Sequence, residues 1–435
     1  MLDVSVLYAG HETASTPHRY GRAITQINPP EHQKMAVAKS AKERRPIVIW
    51  NLTRTCNLHC EHCYTHSEAR RYAGELDTRE CFNVLDDLAE FKVPAVLFSG
   101  GEPLIRPDLF ELAAYARGKG LHVVLSTNGT LITREIAQKL KDHKFAYVGI
   151  SLDSAIPAIH DKFRGLPGAW QKTMDGFRHC KAVGQKVGLR LTLTRDTCEN
   201  LDLLFDLIER EGIDRACFYH LVPAGRGDAL SEVPHERARA AVETIFTRSR
   251  DFIRRGKSIE ILTVDNACDG PALYLRMLRE NDPRARQVLE MLRFNGGARW
   301  GPGVAIGDID FLGNVHADQF SMKRTYGNVR ERKFSEIWMD PSIGHLAALK
   351  ERMPHIQGRC STCRFKWLCG GSLRSRSENA TGNPWASDPA CYLTDEEISG
   401  EMLFPEAMPE KTGRSPGGIG LPVLSPSSHA ALCGA

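Results

Sequence analysis

The stretch Ile47-Val48-Ile49-Trp50-Asn51-Leu52-Thr53 runs directly into Arg54-Thr55-Cys56-Asn57-Leu58-His59-Cys60-Glu61-His62-Cys63. Its first part is β-branched and apolar and ends in polar residues, as a strand covered on both faces does. Its second part is a short loop holding a C-x3-C-x2-C run. Five more runs repeat the strand pattern: AVLFSGG (95–101), HVVLSTNG (122–129), YVGISLD (147–153), KVGLRLTL (186–193) and ACFYHLVP (216–223). Stretches of helical period separate them, among them residues 78–91, 108–120 and 200–212, the last two closed by a glycine where a helix stops. Six successive β/α units predict an α/β fold, a partial (β/α)6 barrel over residues 45–228, with its chemistry at the carboxyl ends of the strands.

The rest of the chain is organised around that unit. At 435 residues, with 25% charged and 42% hydrophobic positions, the composition is that of a globular protein and excludes a largely disordered or fibrous one. A net charge of +4 is too small over this length to signal a nucleic-acid or membrane-surface binder. No apolar run reaches membrane-helix length and the N-terminus lacks a signal-peptide pattern, so a cytoplasmic location is expected. Residues 1–44 read as a polar N-terminal arm, 229–300 as a helical bridging region, 301–398 as a small second domain with a hairpin at 304–320, and 399–435 as a disordered tail in which Cys433 is incidental.

Thirteen cysteines in a reducing compartment point to metal or cluster ligation rather than disulfides. Cys56, Cys60 and Cys63 can hold three irons of a cubane and leave the fourth without a protein ligand. A zinc site completed by His66 is the alternative. A second set, Cys360, Cys363, Cys369 and Cys391, reads C-x2-C-x5-C with a fourth cysteine after twenty-one residues, and suits zinc or a fully ligated iron-sulfur cluster. Cys81, Cys180, Cys198, Cys217 and Cys268 fall singly within helix or strand patterns and read as small apolar residues without chemistry.

The three-cysteine loop, together with Ser99-Gly100-Gly101-Glu102-Pro103, resembles the radical S-adenosylmethionine (SAM) superfamily over about residues 46–228. The resemblance implies a [4Fe-4S] cluster whose open iron chelates SAM, and a 5′-deoxyadenosyl radical formed when one electron from the cluster cleaves it. It assigns SAM contacts to Gly100, Gly101 and Glu102 for the methionine ammonium, and to Ser126, Asn128, Ser151 and Asp153 at the ends of the third and fourth strands. Arg190 would take the SAM carboxylate, and Ala224, Gly225 and the ring of His62 would flank adenine. The second cysteine set resembles the auxiliary-cluster extensions called SPASM and Twitch. Because Gly313-Asn314-Val315-His316-Ala317-Asp318-Gln319 lacks the cysteine of the larger version, a single auxiliary [4Fe-4S] cluster is expected, giving two clusters in all.

From Pro46 to about Ile398 the chain is similar to the radical SAM family of haem d1 biosynthesis, on words such as LFSGGEPLIRPDLF, HDKFRG, LVPAGRG, GNVHADQF and DPACYL. That resemblance implies an iron tetrapyrrole substrate, didecarboxysirohaem, whose propionate side chains lose hydrogen and are then removed or oxidised. It also implies an electron donor such as flavodoxin or ferredoxin. Arg164, Arg226 and Arg324 are candidates for the substrate carboxylates, and His316 or His220 for the iron. Oxidative decarboxylation of another haem precursor, or peptide maturation, are the alternatives.

Overall fold

The computed structural model describes residues 1–11, 16, 44–230 and 233–404. Ten strands form one sheet: β1 (Leu2–Asp3), β2 (Ile47–Asn51), β3 (Val96–Ser99), β4 (Val123–Thr127), β5 (Tyr147–Ser151), β6 (Val187–Leu193), β7 (Arg215–His220), β8 (Glu260–Val264), β9 (Ile306–Ile309) and β10 (Val315–His316). Their spatial order is β1-β8-β7-β6-β5-β4-β3-β2-β9-β10. The six strands read from the sequence are β2 to β7, and they pair in parallel in chain order. Parallel pairing requires a crossover between neighbours, and the helices Thr78–Glu90, Leu109–Gly118, Arg134–Asp142, Ala169–Ala182 and Leu201–Glu211 supply them. The first shows why it forms: Asp77 and Glu80 close a capping box, and Cys81, Val84, Leu85 and Leu88 place one buried stripe at helical spacing. Leu201–Glu211 ends, as its sequence requires, on Gly212 in the left-handed region at φ 58°.

Three expectations about organisation change. Residues 229–300 are not only helical: β8 lies inside them, buried along its whole length and parallel to β7. The hairpin of 301–398 forms as expected, β9 against β10, but β9 also pairs in parallel with β2, so this segment extends the sheet. The first residues of the expected arm are core: β1 pairs antiparallel with β8, and Val4, Leu7 and Tyr8 are fully buried. Each addition covers an otherwise open edge of a hydrophobic sheet. Residues 17–43 of the arm and 405–435 of the tail, Cys433 included, lie outside the described residues. Among the described residues, no helix is long and apolar enough to cross a membrane.

Candidate active site

The three cysteines follow β2 on a loop tied back on itself, with Thr55 bridged to Glu68 and the Cys56 N–H on the Glu68 carbonyl at 3.0 Å. Each sulfur has a donor. The Leu58 N–H lies 3.4 Å from Cys56 Sγ, the Ser67 N–H 3.4 Å from Cys63 Sγ, and Arg164 Nη1 3.6 Å from Cys60 Sγ. Donors of this kind stabilise cluster thiolates. Burial pushes Cys56 up to about 12 and raises Cys60 as well, so these thiols shed their protons only to a bound cation. Cys56, Leu58 and Cys60 form one buried group with Cys63 against it. Among the described residues no three His, Cys, Asp or Glu side chains converge on a single-ion site, and His66, needed by the zinc alternative, is exposed. A cubane, by contrast, asks its thiolates only to surround a space.

The glycine pair after β3 packs on the root of this loop. A Cβ on Gly100 would meet the Thr53 carbonyl oxygen at 2.3 Å, and one on Gly101 the Thr55 carbonyl oxygen at 2.2 Å. Glu102 is engaged within the protein. It is fully buried and lies outside the cavity lining, accepting from the Leu104 N–H (3.1 Å), the Thr127 hydroxyl (2.7 Å) and the Asn128 N–H (2.8 Å). Burial pushes its carboxyl up to about 7 in spite of these donors. Glu102 therefore fastens the Gly-Gly turn to the end of β4. The Asn128 side chain is likewise engaged within the protein, donating to Asn57 Oδ1 at 2.9 Å and accepting from Thr130, although the residue still borders the cavity.

That cavity opens at the carboxyl ends of the strands and encloses about 170 Å³. Its wall includes all three cysteines, His62, Gly100, Gly101, Ser126, Asn128, Ser151, Arg164, Arg190 and His220. Arg190, opposite Ser151 in the β5–β6 register, donates to Ser126 Oγ at 2.6 Å and lies over the Tyr219 ring. Among the described residues no carboxylate pairs with it, so a guanidinium faces the cavity in need of an anion. His62 stacks on Phe163 with centroids 4.5 Å apart, and burial pushes its imidazole down to about 3, leaving a neutral ring with Nδ1 unpartnered. Ala224 and Gly225 are outside the lining; a Cβ on Gly225 would meet the Cys63 carbonyl oxygen at 2.4 Å, so this turn braces the cysteine loop.

The candidates for the tetrapyrrole separate sharply. Arg226 clamps the cysteine loop, donating to the carbonyls of Cys60 (2.8 Å) and Ser67 (3.0 Å). Arg164 is 2.6 Å from Asp153, and although burial would raise the Asp153 carboxyl, Arg164 holds it well below the usual range. Asp153, outside the cavity wall, is thus the counter-charge of Arg164. Arg324 pairs with Glu378 at 2.5 Å away from the cavity. His316 spends both nitrogens, on the Arg324 carbonyl (2.8 Å) and on Asp310 (3.4 Å), and does not reach the wall. His220 does. Its Nε2 is 3.0 Å from Asp269, which also accepts from the Tyr392 hydroxyl at 2.7 Å, and no described residue bonds Nδ1. Asp269 and Tyr392 were not singled out in the sequence, nor were Asp265 and Phe320, which line the cavity; Phe320 and Tyr392 end or lie within the words GNVHADQF and DPACYL, whereas only tertiary contact links Asp265 and Asp269 to a motif. Asp265 holds a left-handed φ of 65° and a buried, unpartnered Oδ2, and burial pushes its carboxyl up to about 6.

The second cysteine set gathers in the segment after β10. Cys360 lies in the helix Arg359–Thr362, Cys363 caps it, and Cys369 ends the helix Lys366–Cys369. Cys369 is within electrostatic reach of Cys360, Cys363 and Cys391. Cys268, expected to be without chemistry, stands beside them: its hydrogen bond to Cys391 brings that thiol down to about 7. The other four single cysteines take no part; Cys81, Cys180 and Cys217 are buried and Cys198 is half-buried.

A family model described as the radical SAM superfamily matches residues 50–208. Fe-coproporphyrin III synthase of Methanosarcina barkeri is 47% identical over 403 residues, 92% of this chain and 99% of its own length. The chain belongs to the radical SAM superfamily. Among radical SAM relatives, pre-heme d1 synthase of Dinoroseobacter shibae is 42% identical over 81% of this chain and 87% of its length. AdoMet-dependent heme synthase of Nitratidesulfovibrio vulgaris is 33% identical over 79% and 91%. The solved structure of Streptococcus suis SuiB bound to S-adenosylmethionine has a TM-score of 0.63 at 16% identity, covering 80% of this chain and 78% of that one, a likeness of fold. Membership implies SAM and a [4Fe-4S] cluster, and the buried three-thiol loop, its donors and the unpaired Arg190 fit both.

Proposed function

We propose that this radical SAM enzyme acts on an iron tetrapyrrole of haem biosynthesis and that its product is Fe-coproporphyrin III. The observation that carries the reading is the 47% identity to a synthase of that name across 99% of its length. The bound cluster and SAM supply a primary carbon radical that takes hydrogen from an unactivated C–H bond, which no acid, base or thiolate of this chain can do at neutral pH. The chain's residues supply position and charge. Cys56, Cys60 and Cys63 hold the cluster, Arg164 and Arg226 fix their loop, Arg190 with Ser126 takes the SAM carboxylate, and His62 faces adenine. For the ammonium, the backbone of Ser99-Gly100-Gly101 replaces the Glu102 side chain.

The remaining cavity takes the macrocycle. His220 is the proposed ligand of its iron: Asp269 fixes the tautomer from the far side of the ring and leaves Nδ1 as the basic nitrogen. Cys360, Cys363, Cys369 and Cys391 hold a second [4Fe-4S] cluster, and an external one-electron donor of the flavodoxin or ferredoxin kind reduces the protein.

A second reading, conversion of didecarboxysirohaem on the way to haem d1 with loss of propionates, is favoured by the 42% identity to pre-heme d1 synthase. One experiment separates the two. The anaerobically reconstituted, reduced protein is given SAM and didecarboxysirohaem, and 5′-deoxyadenosine and the tetrapyrrole mass are followed. A product retaining the four propionates of a coproporphyrin supports the first reading, and propionate loss supports the second. Absence of 5′-deoxyadenosine release with this substrate sinks both.

A further inference from the structure

Arg352 and Arg374 are each only 1% exposed, and neither has a carboxylate partner among the described residues. Arg352 donates to the carbonyls of Pro302 (2.8 Å) and Leu349 (3.3 Å), and its buried Nη1 has no partner. Arg374 donates to the carbonyls of Ala386 (2.7 Å), Pro384 (3.0 Å) and Gly371, two residues after Cys369, and its buried Nε has no partner. Arg376, equally buried, is different: it is paired with Asp388 at 2.9 Å, which engages the acid nearest to Arg374. Cys369 lies within electrostatic reach of both unpaired guanidinium groups, and Cys360 of Arg374. At the rim, Arg359 Nη1 is 3.6 Å from Cys391 Sγ.

A buried cation without an anion is strongly disfavoured, so such a pair is retained where something negative sits beside it. Four thiolates on an oxidised cubane carry two net negative charges, and three once it is reduced. We propose that Arg352 and Arg374 are the counter-charges of a [4Fe-4S] cluster held by Cys360, Cys363, Cys369 and Cys391, and that they raise its reduction potential. The direction follows from the two charges themselves. Asp318 and Asp388 are also within electrostatic reach of these guanidinium groups, but Asp388 is engaged by Arg376 and Asp318 by the Ser321 and Ser375 hydroxyls. Each electron added to the cluster is therefore stabilised by Arg352 and Arg374.

This inference rests on the auxiliary site being an iron-sulfur cluster, and its test separates the two claims. Iron and sulfide are first counted on the reconstituted full chain, and an EPR-monitored redox titration then reads both clusters, SAM perturbation marking the open one. R352M and R374M should each lower its reduced-to-oxidised ratio about tenfold at fixed potential, about 59 mV for one electron, while R352K and R374K, which keep the charge, should move it little. R359Q, at the rim, gives a folded control with a smaller shift in the same direction. Zinc in place of the second cluster would overturn the cluster reading. A loaded auxiliary cluster whose potential is unmoved in the folded Met variants would overturn the charge assignment alone.

Discussion

The guanidinium of Arg164 stands 3.6 Å from the sulfur of Cys60 while its Nε is 2.6 Å from Asp153. One side chain thus links the helix Pro157–Arg164 to the cysteine loop and brings its own counter-charge with it. Replacing Arg164 by Met leaves the buried Asp153 with only the His160 imidazole, 3.5 Å away, and removes the donor from Cys60. Outer-sphere changes of this kind cost roughly 10–100-fold in affinity or activity. R164M should lose iron from the SAM-binding cluster by about that factor in a chelator challenge, with the auxiliary cluster unaffected.

Arg190 should report on SAM and not on cluster assembly. Charge-assisted hydrogen bonds contribute about 1.5–3 kcal/mol, so R190M should weaken SAM binding by roughly 10–150-fold in a titration followed by the SAM-dependent change in the EPR signal. Iron content should be unchanged. A variant with wild-type SAM affinity would remove the assignment.

The Gly-Gly turn gives a steric prediction. With a Cβ only 2.2 Å from the Thr55 carbonyl oxygen, Gly101→Ala must push the root of the cysteine loop away. The expected protein keeps its far-ultraviolet circular dichroism but reconstitutes with roughly four irons in place of about eight. A Cys391→Ala variant should show the complementary loss, retaining the SAM-responsive signal.

Asp265 makes stability depend on pH in a defined sense. Burial raises its carboxyl from 3.8 to about 6. The folded state therefore holds a proton that the unfolded chain has already lost between these values, and stability falls as pH rises through the window. D265N removes the titration, so above pH 6 it should be more stable than the wild type by on the order of 1–3 kcal/mol, the advantage fading toward pH 4. Denaturant midpoints of the two proteins across pH 4–8 check this.

The parallel centre of the fold was legible because each of β2 to β7 is a continuous apolar run with a polar end, bounded by helices of clear period. The edges were not. β1 and β10 have two residues each, too few to show a period, and β8 sits among charged helices that mask it. Within the site, cysteine spacing carried the ligands. The protein partners of Glu102, Asn128 and Asp153, namely Thr127, Asn57 and Arg164, were not legible because they are set by packing between loops. His220 and His316 looked equivalent as sequence; only the neighbours of their ring nitrogens distinguish them. Cys268 has no motif around it, and nothing short of tertiary structure places it beside Cys391.

The pairing of β9 with β2 has a consequence for biosynthesis. On the ribosome, the strand that carries the three-cysteine loop lacks its outer neighbour until Ile306–Ile309 has been made, some 255 residues after Asn51. At about 5–20 residues per second that interval is on the order of tens of seconds. Throughout it the nascent chain presents an unpaired apolar edge beside three unligated thiols, a species open to mispairing and to oxidation alike.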